Sequence, residues 1–140
     1  SIGVASAAGK AYIHSAGKTQ DVSQVWSNLG EQDAFLESMA ASAQAVADYF
    51  GDKILYINVM NNLSIDCDCD AHPHDPEMKD IGILASLDPV ALDQACLDLV
   101  HAVRPSEGNN SKPLIERIKS RNGQHTVDHA ERTREFTESI

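Results

Sequence analysis

A helical pattern that leads directly into a strand pattern constrains the fold of this chain more than any other feature. Residues 31–50 place apolar side chains at the 3.6-residue spacing of an amphipathic helix, and Gly51 stands where a C-cap glycine ends such helices. The run 53–60 is apolar and β-branched without polar alternation, as in strands that are buried on both faces. This order predicts a sheet that is covered by helices.

A second strand and a second helix follow in the same way. The run DIGILASL, residues 80–87, is apolar and of strand length. Asp88 then offers a side-chain N-cap and Pro89 a suitable first helical residue. Together they predict a helix that continues to about Val103.

The remaining segments are short. Residues 1–18 are small and rich in Gly and Ala, which predicts a loop, with a short helix as an alternative, that can approach another group closely. Trp26 is a candidate anchor. Residues 135–139 are read as a last edge strand. The length suits one domain with a core of its own. We therefore predict an α/β or α+β fold, a small helix-covered sheet in a three-layer-like arrangement, with residues 1–140 as a single domain.

The stretch IDCDCDAHPHDPEMKD, residues 65–80, concentrates metal-binding side chains in a long segment without any regular pattern. It follows the predicted strand at its C-terminal end, where open α/β sheets place ligand sites. Thiolates beside an imidazole suit zinc or an iron–sulfur cluster. We predict a metal site whose ligands are Cys67, Cys69, His72 and Asp70.

Other interpretations of this stretch stay open. Aspartates raise the pKa of a neighbouring thiol and so disfavour the thiolate, whereas a bound cation reverses that effect. The carboxylates alone would suit a hard ion such as Mg²⁺. A redox-active or nucleophilic cysteine, and a solvated acidic loop with incidental thiols, are the remaining alternatives.

Outside residues 65–80, two further pairs of candidate residues lie four positions apart in the sequence. Lys10 and His14 lie in the small-residue N-terminal segment and are candidates for binding an anionic cofactor or metabolite. His125 and His129 have the spacing of a metal pair on a helix, but Thr126 as N-cap would leave His125 just outside that helix. Capping and packing roles are therefore favoured for these two histidines.

Charge, hydropathy and cysteine content argue against several classes of partner and indicate a cellular compartment. The net charge of −10 repels phosphate backbones, which argues against nucleic acid and favours a metal ion or a small molecule. No apolar run approaches the ~20 residues that span a bilayer, which argues against a membrane partner. Three cysteines without a secretory signal indicate a reduced, cytoplasmic protein, and Cys96 on an apolar helix face is read as a buried structural thiol.

Five segments together carry a resemblance to a known family: GVASAAGKAYIHSAGK, ILYINVMNNLSIDCDCDAHP, PEMKDIGILASLDPVALDQACLDLV, LIERIKSRNGQHTVDHAE and REF. They resemble the C-terminal half of the DUF362 family, prokaryotic proteins often labelled as iron–sulfur proteins, over nearly the whole chain. The resemblance implies a longer protein with an N-terminal half. If the family's site is shared between halves, Lys10, His14 and the loop from Cys67 to His74 would be this half's contribution. His74 stands where relatives often carry a small residue, so His72 is the better ligand.

Three functional hypotheses follow. The first is a cytoplasmic metal-binding domain with an iron–sulfur cluster or zinc, and a redox role only for iron. The second is the half-site of an enzyme acting on a small anionic metabolite, with Lys10 holding the anion and Asp88, Asp93 or Cys67 near the chemistry. The third is a non-catalytic acidic module for a basic partner. Enzymatic activity stays open, as does a homodimer that pools thiols or a complex with the missing N-terminal half.

Overall fold

The computed structural model describes residues 5–66 and 70–138, with side chains through Arg134. Its elements, in chain order, are α1 (Ala7–His14), a 3₁₀ helix (Val22–Ser27), α2 (Gln32–Phe50), β1 (Tyr56–Met60), β2 (Gly82–Ser86), α3 (Pro89–Ala102), α4 (Lys112–Ser120) and α5 (Gln124–Glu138). This mixture of helix and sheet confirms the predicted fold class. No helix in the described part of the chain is long and apolar enough to cross a membrane.

Contacts divide the described residues into two compact units. One contains the residues up to Ile54 together with those from Asn122 onward, and the other runs from Leu55 to Arg121. One domain over residues 1–140 stays a prediction.

The first unit is helical. Helix α2 packs against both α1 and α5. The core residues of this unit are Ala11, Ile13, Leu36, Ala40 and Val127. Helix α2 ends at the predicted place, where Gly51 adopts a positive φ of 57°.

Two predictions for this unit are wrong. Trp26 is not an anchor, because 78% of its surface is exposed at the 3₁₀ helix. Residues 135–138 are not an edge strand but the last turn of α5. Glu and Arg are good helix formers, and extending an existing helix adds one backbone hydrogen bond for each residue fixed.

The second unit contains the sheet, a two-stranded antiparallel pair in which Ile57 lies opposite Ala85 and Val59 opposite Ile83. Helix α3 packs on one face. There Asn58 of β1 donates from Nδ2 to Asp93 Oδ1 of α3 at 2.8 Å.

The other face of this sheet is exposed, so the predicted burial on both faces is wrong for the described residues. Ile57, Val59 and Ile83 are 57%, 61% and 70% exposed. Leu55 and Leu87, which flank the two strands, are exposed as well. A run of apolar residues reports side-chain chemistry, and it does not report whether a second element covers each face.

The start of α3 is confirmed and can be tested. Asp88 Oδ1 accepts from the backbone N–H groups of Val90 at 2.9 Å and Ala91 at 3.1 Å, and Pro89 occupies the first turn. Asp88→Ala should lower the free energy of unfolding by about 1 kcal/mol, because two N–H groups lose their acceptor. Asp88→Asn keeps the acceptor and should cost much less in the same urea titration. Equal losses in the two variants would contradict the capping role.

Candidate functional site

The donor-rich segment connects β1 to β2, and its base is closed by hydrogen bonds. Asp80 accepts from the backbone N–H of Asn62 at 2.9 Å and from Asn61 Nδ2 at 3.2 Å. Just beyond, the N–H of Ile81 donates to the carbonyl of Met60 at 2.9 Å. The two ends of the segment therefore leave the sheet side by side.

The later part of the segment is held against the turn that precedes α4. The backbone N–H and the Nδ2 of Asn110 donate to the carbonyl oxygen and the carboxylate of Glu77 at 2.8 and 3.1 Å. The N–H of Lys79 donates to Asn109 Oδ1 at 2.9 Å, and Met78 is buried with 6% of its surface exposed. These contacts fix residues 77–79 to the body of the unit.

A third set of contacts, which we call the Asp66–His74 clamp, closes the middle of the segment. Asp66 Oδ2 lies 2.6 Å from His74 Nδ1 and accepts from the backbone N–H of His74 at 3.0 Å. Ser64 Oγ donates to the carbonyl of His74 at 2.8 Å, and Arg117 Nη2 lies 3.5 Å from Asp66 Oδ1. The clamp brings both ends of residues 66–74 into direct contact.

The clamp shifts the acidity of both partners. The hydrogen bond from the His74 ring, followed by that from its backbone N–H, holds the pKa of Asp66 below its ordinary value of 3.8. The hydrogen bond to Asp66, followed by the charge of that carboxylate, raises the pKa of His74 above its ordinary value of 6.5. Both shifts favour the charged pair.

These shifts define the pH range of the clamp. The stabilisation from His74 is fully present below 6.5 and is lost as the pH rises through its raised pKa. The stabilisation from Asp66 is fully present above 3.8 and is lost as the pH falls through its lowered pKa. The ion pair is therefore complete between these two ordinary values.

An NMR titration of the metal-free protein tests this range. The imidazole of His74 should titrate with a midpoint above 6.5, because protonation strengthens its contact with Asp66. In Asp66→Asn the midpoint should move back towards 6.5. A His74 midpoint that does not respond to Asp66→Asn would contradict the clamp.

The predicted metal ligands lie within the closed loop. Cys67 and Cys69 fall outside the described residues, so their part in a site stays a prediction. Asp70 and His72 are described and exposed, and the backbone N–H of His72 donates to Asp70 Oδ1 at 2.9 Å. This bond fixes the local turn that carries the His72 ring.

Several acids of the segment have structural partners. Asp66, Glu77 and Asp80 accept hydrogen bonds from Arg117, Asn110 and Asn62, respectively. A bound cation is therefore not needed to explain these three carboxylates. The alternative of a hard ion such as Mg²⁺ held by carboxylates stays a prediction, and it then depends on the other acids of the segment.

Cys96 belongs to α3 and not to this loop. Its side chain is half-buried, and its Sγ accepts from Asn58 Nδ2 at 3.4 Å. This contact joins α3 to β1 and agrees with a structural thiol.

Lys10 and His14 lie in α1, in the other unit. His14 Nδ1 is 2.8 Å from the carbonyl oxygen of Lys10, and its ring packs against Phe35 with the ring centroids 5.1 Å apart. Internal bonding and packing thus occupy the His14 ring. The predicted cofactor-binding role of Lys10 and His14 stays a prediction.

His125 and His129 are placed differently from the sequence prediction. Helix α5 begins at Gln124, so Thr126 is not its N-cap and both histidines lie on the helix. Both contact Glu37 of α2, a residue that sequence reasoning missed. The i, i+4 histidine spacing was the available signal, but nothing in the sequence indicates a carboxylate about ninety residues earlier as the third member.

The described residues combine helices and a two-stranded sheet with an anchored acidic loop, whose sequence includes two cysteines. The chain belongs to the DUF362 family, whose description is "Domain of unknown function", and the family matches residues 1–98. The position of this match does not support the expected assignment to the family's C-terminal half, and it is narrower than the resemblance over nearly the whole chain. No curated protein and no solved structure shows a significant match.

Proposed function

We propose that this DUF362 protein is a cytoplasmic metal-binding protein whose thiolate ligands are Cys67 and Cys69, with His72 and Asp70 completing the site. The observation that carries the proposal is the Asp66–His74 clamp. All four proposed ligands belong to the short loop that the clamp closes.

Loop closure makes ligand assembly easier. Bringing the ends of a flexible segment together costs conformational entropy, and the clamp has already met that cost before a metal arrives. The Asp70 contact to the His72 backbone restricts the loop further. The proposed ligands thus all come from one short loop whose two ends are already joined.

The available donors fit zinc better than a complete iron–sulfur cluster. Two thiolates, one imidazole and one carboxylate fill the four positions of tetrahedral zinc. Iron–sulfur clusters generally take four cysteine-type ligands. The chain has three cysteines, and the third, Cys96 of α3, accepts a hydrogen bond from Asn58 of β1. A cluster would therefore need ligands from a second copy or another protein.

Metal binding would also account for thiols among aspartates. Neighbouring carboxylates disfavour a free thiolate, whereas a coordinated metal holds the thiol deprotonated. Zinc or iron would thus neutralise part of the negative charge of the loop. A reduced compartment such as the cytoplasm keeps both thiols available for this role.

Metal and acid-labile sulfide analysis of anaerobically purified protein tests the proposal. Wild type should hold stoichiometric metal, and Cys67→Ser/Cys69→Ser should lose the metal that the loop binds. Cys96→Ser is the matched control and should keep it. Zinc without sulfide would identify a mononuclear site, and iron with sulfide would identify a cluster shared between chains. Metal content that is the same in wild type and the double variant would contradict the proposal.

A further inference from the structure

A second group of metal-binding side chains lies in the helical unit, independent of the loop. Glu37 extends from α2, and His125 and His129 extend from one face of α5 at i, i+4 spacing. Glu37 Oε1 lies 3.0 Å from His125 Nε2 and 3.5 Å from His129 Nδ1. The three donor atoms all lie within 4.8 Å of one another.

The two distances from the Glu37 oxygen match the separation of neighbouring ligands on one metal ion. Zinc–nitrogen and zinc–oxygen bonds are about 2.1 Å long, so two ligands at angles between octahedral and tetrahedral values lie roughly 3.0 to 3.5 Å apart. Both distances from the Glu37 oxygen fall in this range. The imidazole rings are tilted by 38° with their centroids 6.1 Å apart, so they are not stacked face to face.

The surrounding contacts hold the group together. Asn122, just before α5, donates from Nδ2 to Asp33 Oδ1 at 2.7 Å, and Asp33 precedes Glu37 by one helical turn on α2. The backbone N–H of His125 donates to the carbonyl of Asn122 at 2.9 Å. The two helices are thus joined beside the group, and little reorganisation is needed to bind an ion.

The exposure of the side chains suits an exchangeable ion. The imidazoles are 20% and 29% exposed and the Glu37 side chain is 43% exposed, so an ion can enter from solvent. In the absence of an ion, imidazole N–H groups can donate to the carboxylate and hold α2 against α5. A metal would replace those shared protons, because neutral histidine and ionised glutamate offer it their lone pairs.

We propose that Glu37, His125 and His129 form a binding site for a borderline divalent transition metal such as Zn²⁺. Two imidazoles and one carboxylate are the ligand set of open zinc sites, in which three protein ligands leave a position for water or a small ligand. Four-ligand structural sites are closed by comparison. The site also joins α2 to α5, so bound metal should stabilise the helical unit.

The test uses the full chain carrying Cys67→Ser/Cys69→Ser, so that the loop thiols cannot bind the added metal. Calorimetric titration with Zn²⁺ should show one ion per chain. Adding His129→Gln or Glu37→Gln should weaken binding by about tenfold or more. His101→Gln and Glu131→Gln remove the same residue types from exposed positions on α3 and α5, and they should leave the affinity unchanged.

A second readout keeps the test decisive if a variant unfolds. In the doubly substituted chain with all histidines intact, Zn²⁺ should shift the imidazole NMR signals of His125 and His129 and leave that of His101 in place. Zinc should also raise the thermal unfolding midpoint of this protein. Absence of zinc binding, or affinity that is unchanged by His129→Gln, would overturn the proposal. Neither outcome depends on metal binding by the loop.

Discussion

Asp66→Ala should weaken metal binding by the loop about tenfold, the lower end of the effect of removing a supporting residue outside the ligand set. Asp66 is not itself a proposed ligand. It accepts two hydrogen bonds from His74, and without them the segment is closed only by the bond from Ser64 Oγ to the His74 carbonyl oxygen. Assembling Cys67, Cys69 and His72 around an ion then costs more conformational entropy.

The matched control for this prediction is Asp75→Ala. Asp75 is an exposed carboxylate of the same segment, so both variants remove one negative charge. Competition against a chelator of known zinc affinity would measure the zinc affinity of both variants. A large loss in Asp66→Ala with little change in Asp75→Ala would show that closure, and not charge, is responsible. Equal losses would contradict the role of the clamp.

Leu92→Ala should lower the stability of the sheet-containing unit by about 2 to 5 kcal/mol. Leu92 lies on α3, is only 4% exposed, and belongs to the helix that packs on β1 and β2. Its removal leaves a cavity that the surrounding side chains fill only in part. Leu99 lies on the same helix and is 38% exposed, so Leu99→Ala should cost clearly less.

Native-state hydrogen exchange at the amides of β1 measures this difference within the unit itself. The opening free energy of those amides should fall strongly in Leu92→Ala and only slightly in Leu99→Ala. Similar losses in both variants would contradict the assignment of Leu92 as the leucine that α3 buries in this unit.

The elements set by local sequence were the ones predicted well. Helix α2 follows from its apolar spacing and Gly51, and the start of α3 follows from Asp88 and Pro89. In both helices, the residues that determine the helix or its end lie within one or two helical turns of that feature. Capping, backbone conformation and apolar periodicity all act over that distance.

The features that depend on distant residues were not predictable. The exposed face of β1 and β2 depends on which element covers it, and an apolar run carries no such information. The start of α5 was misplaced because Thr126 is a good N-cap residue, although the helix begins at Gln124. Glu37 joins His125 only through the packing of α2 against α5.

The candidate loop lies between these two cases. Its donor residues were evident from composition, and its length indicated a function. The clamp is not evident from the sequence, which presents Asp66 as one of several acids and His74 as a weaker candidate ligand than His72. The structure instead pairs them with each other.

Cobalt(II) titration of the anaerobic, metal-free protein tests thiolate coordination most directly, since Co²⁺ replaces zinc and its bonds to sulfur give an intense charge-transfer absorption. We predict that this absorption grows to one equivalent in the wild type, persists in Cys96→Ser and is absent in Cys67→Ser/Cys69→Ser. Cobalt that binds the wild type without sulfur-to-metal absorption would contradict a thiolate site in the loop.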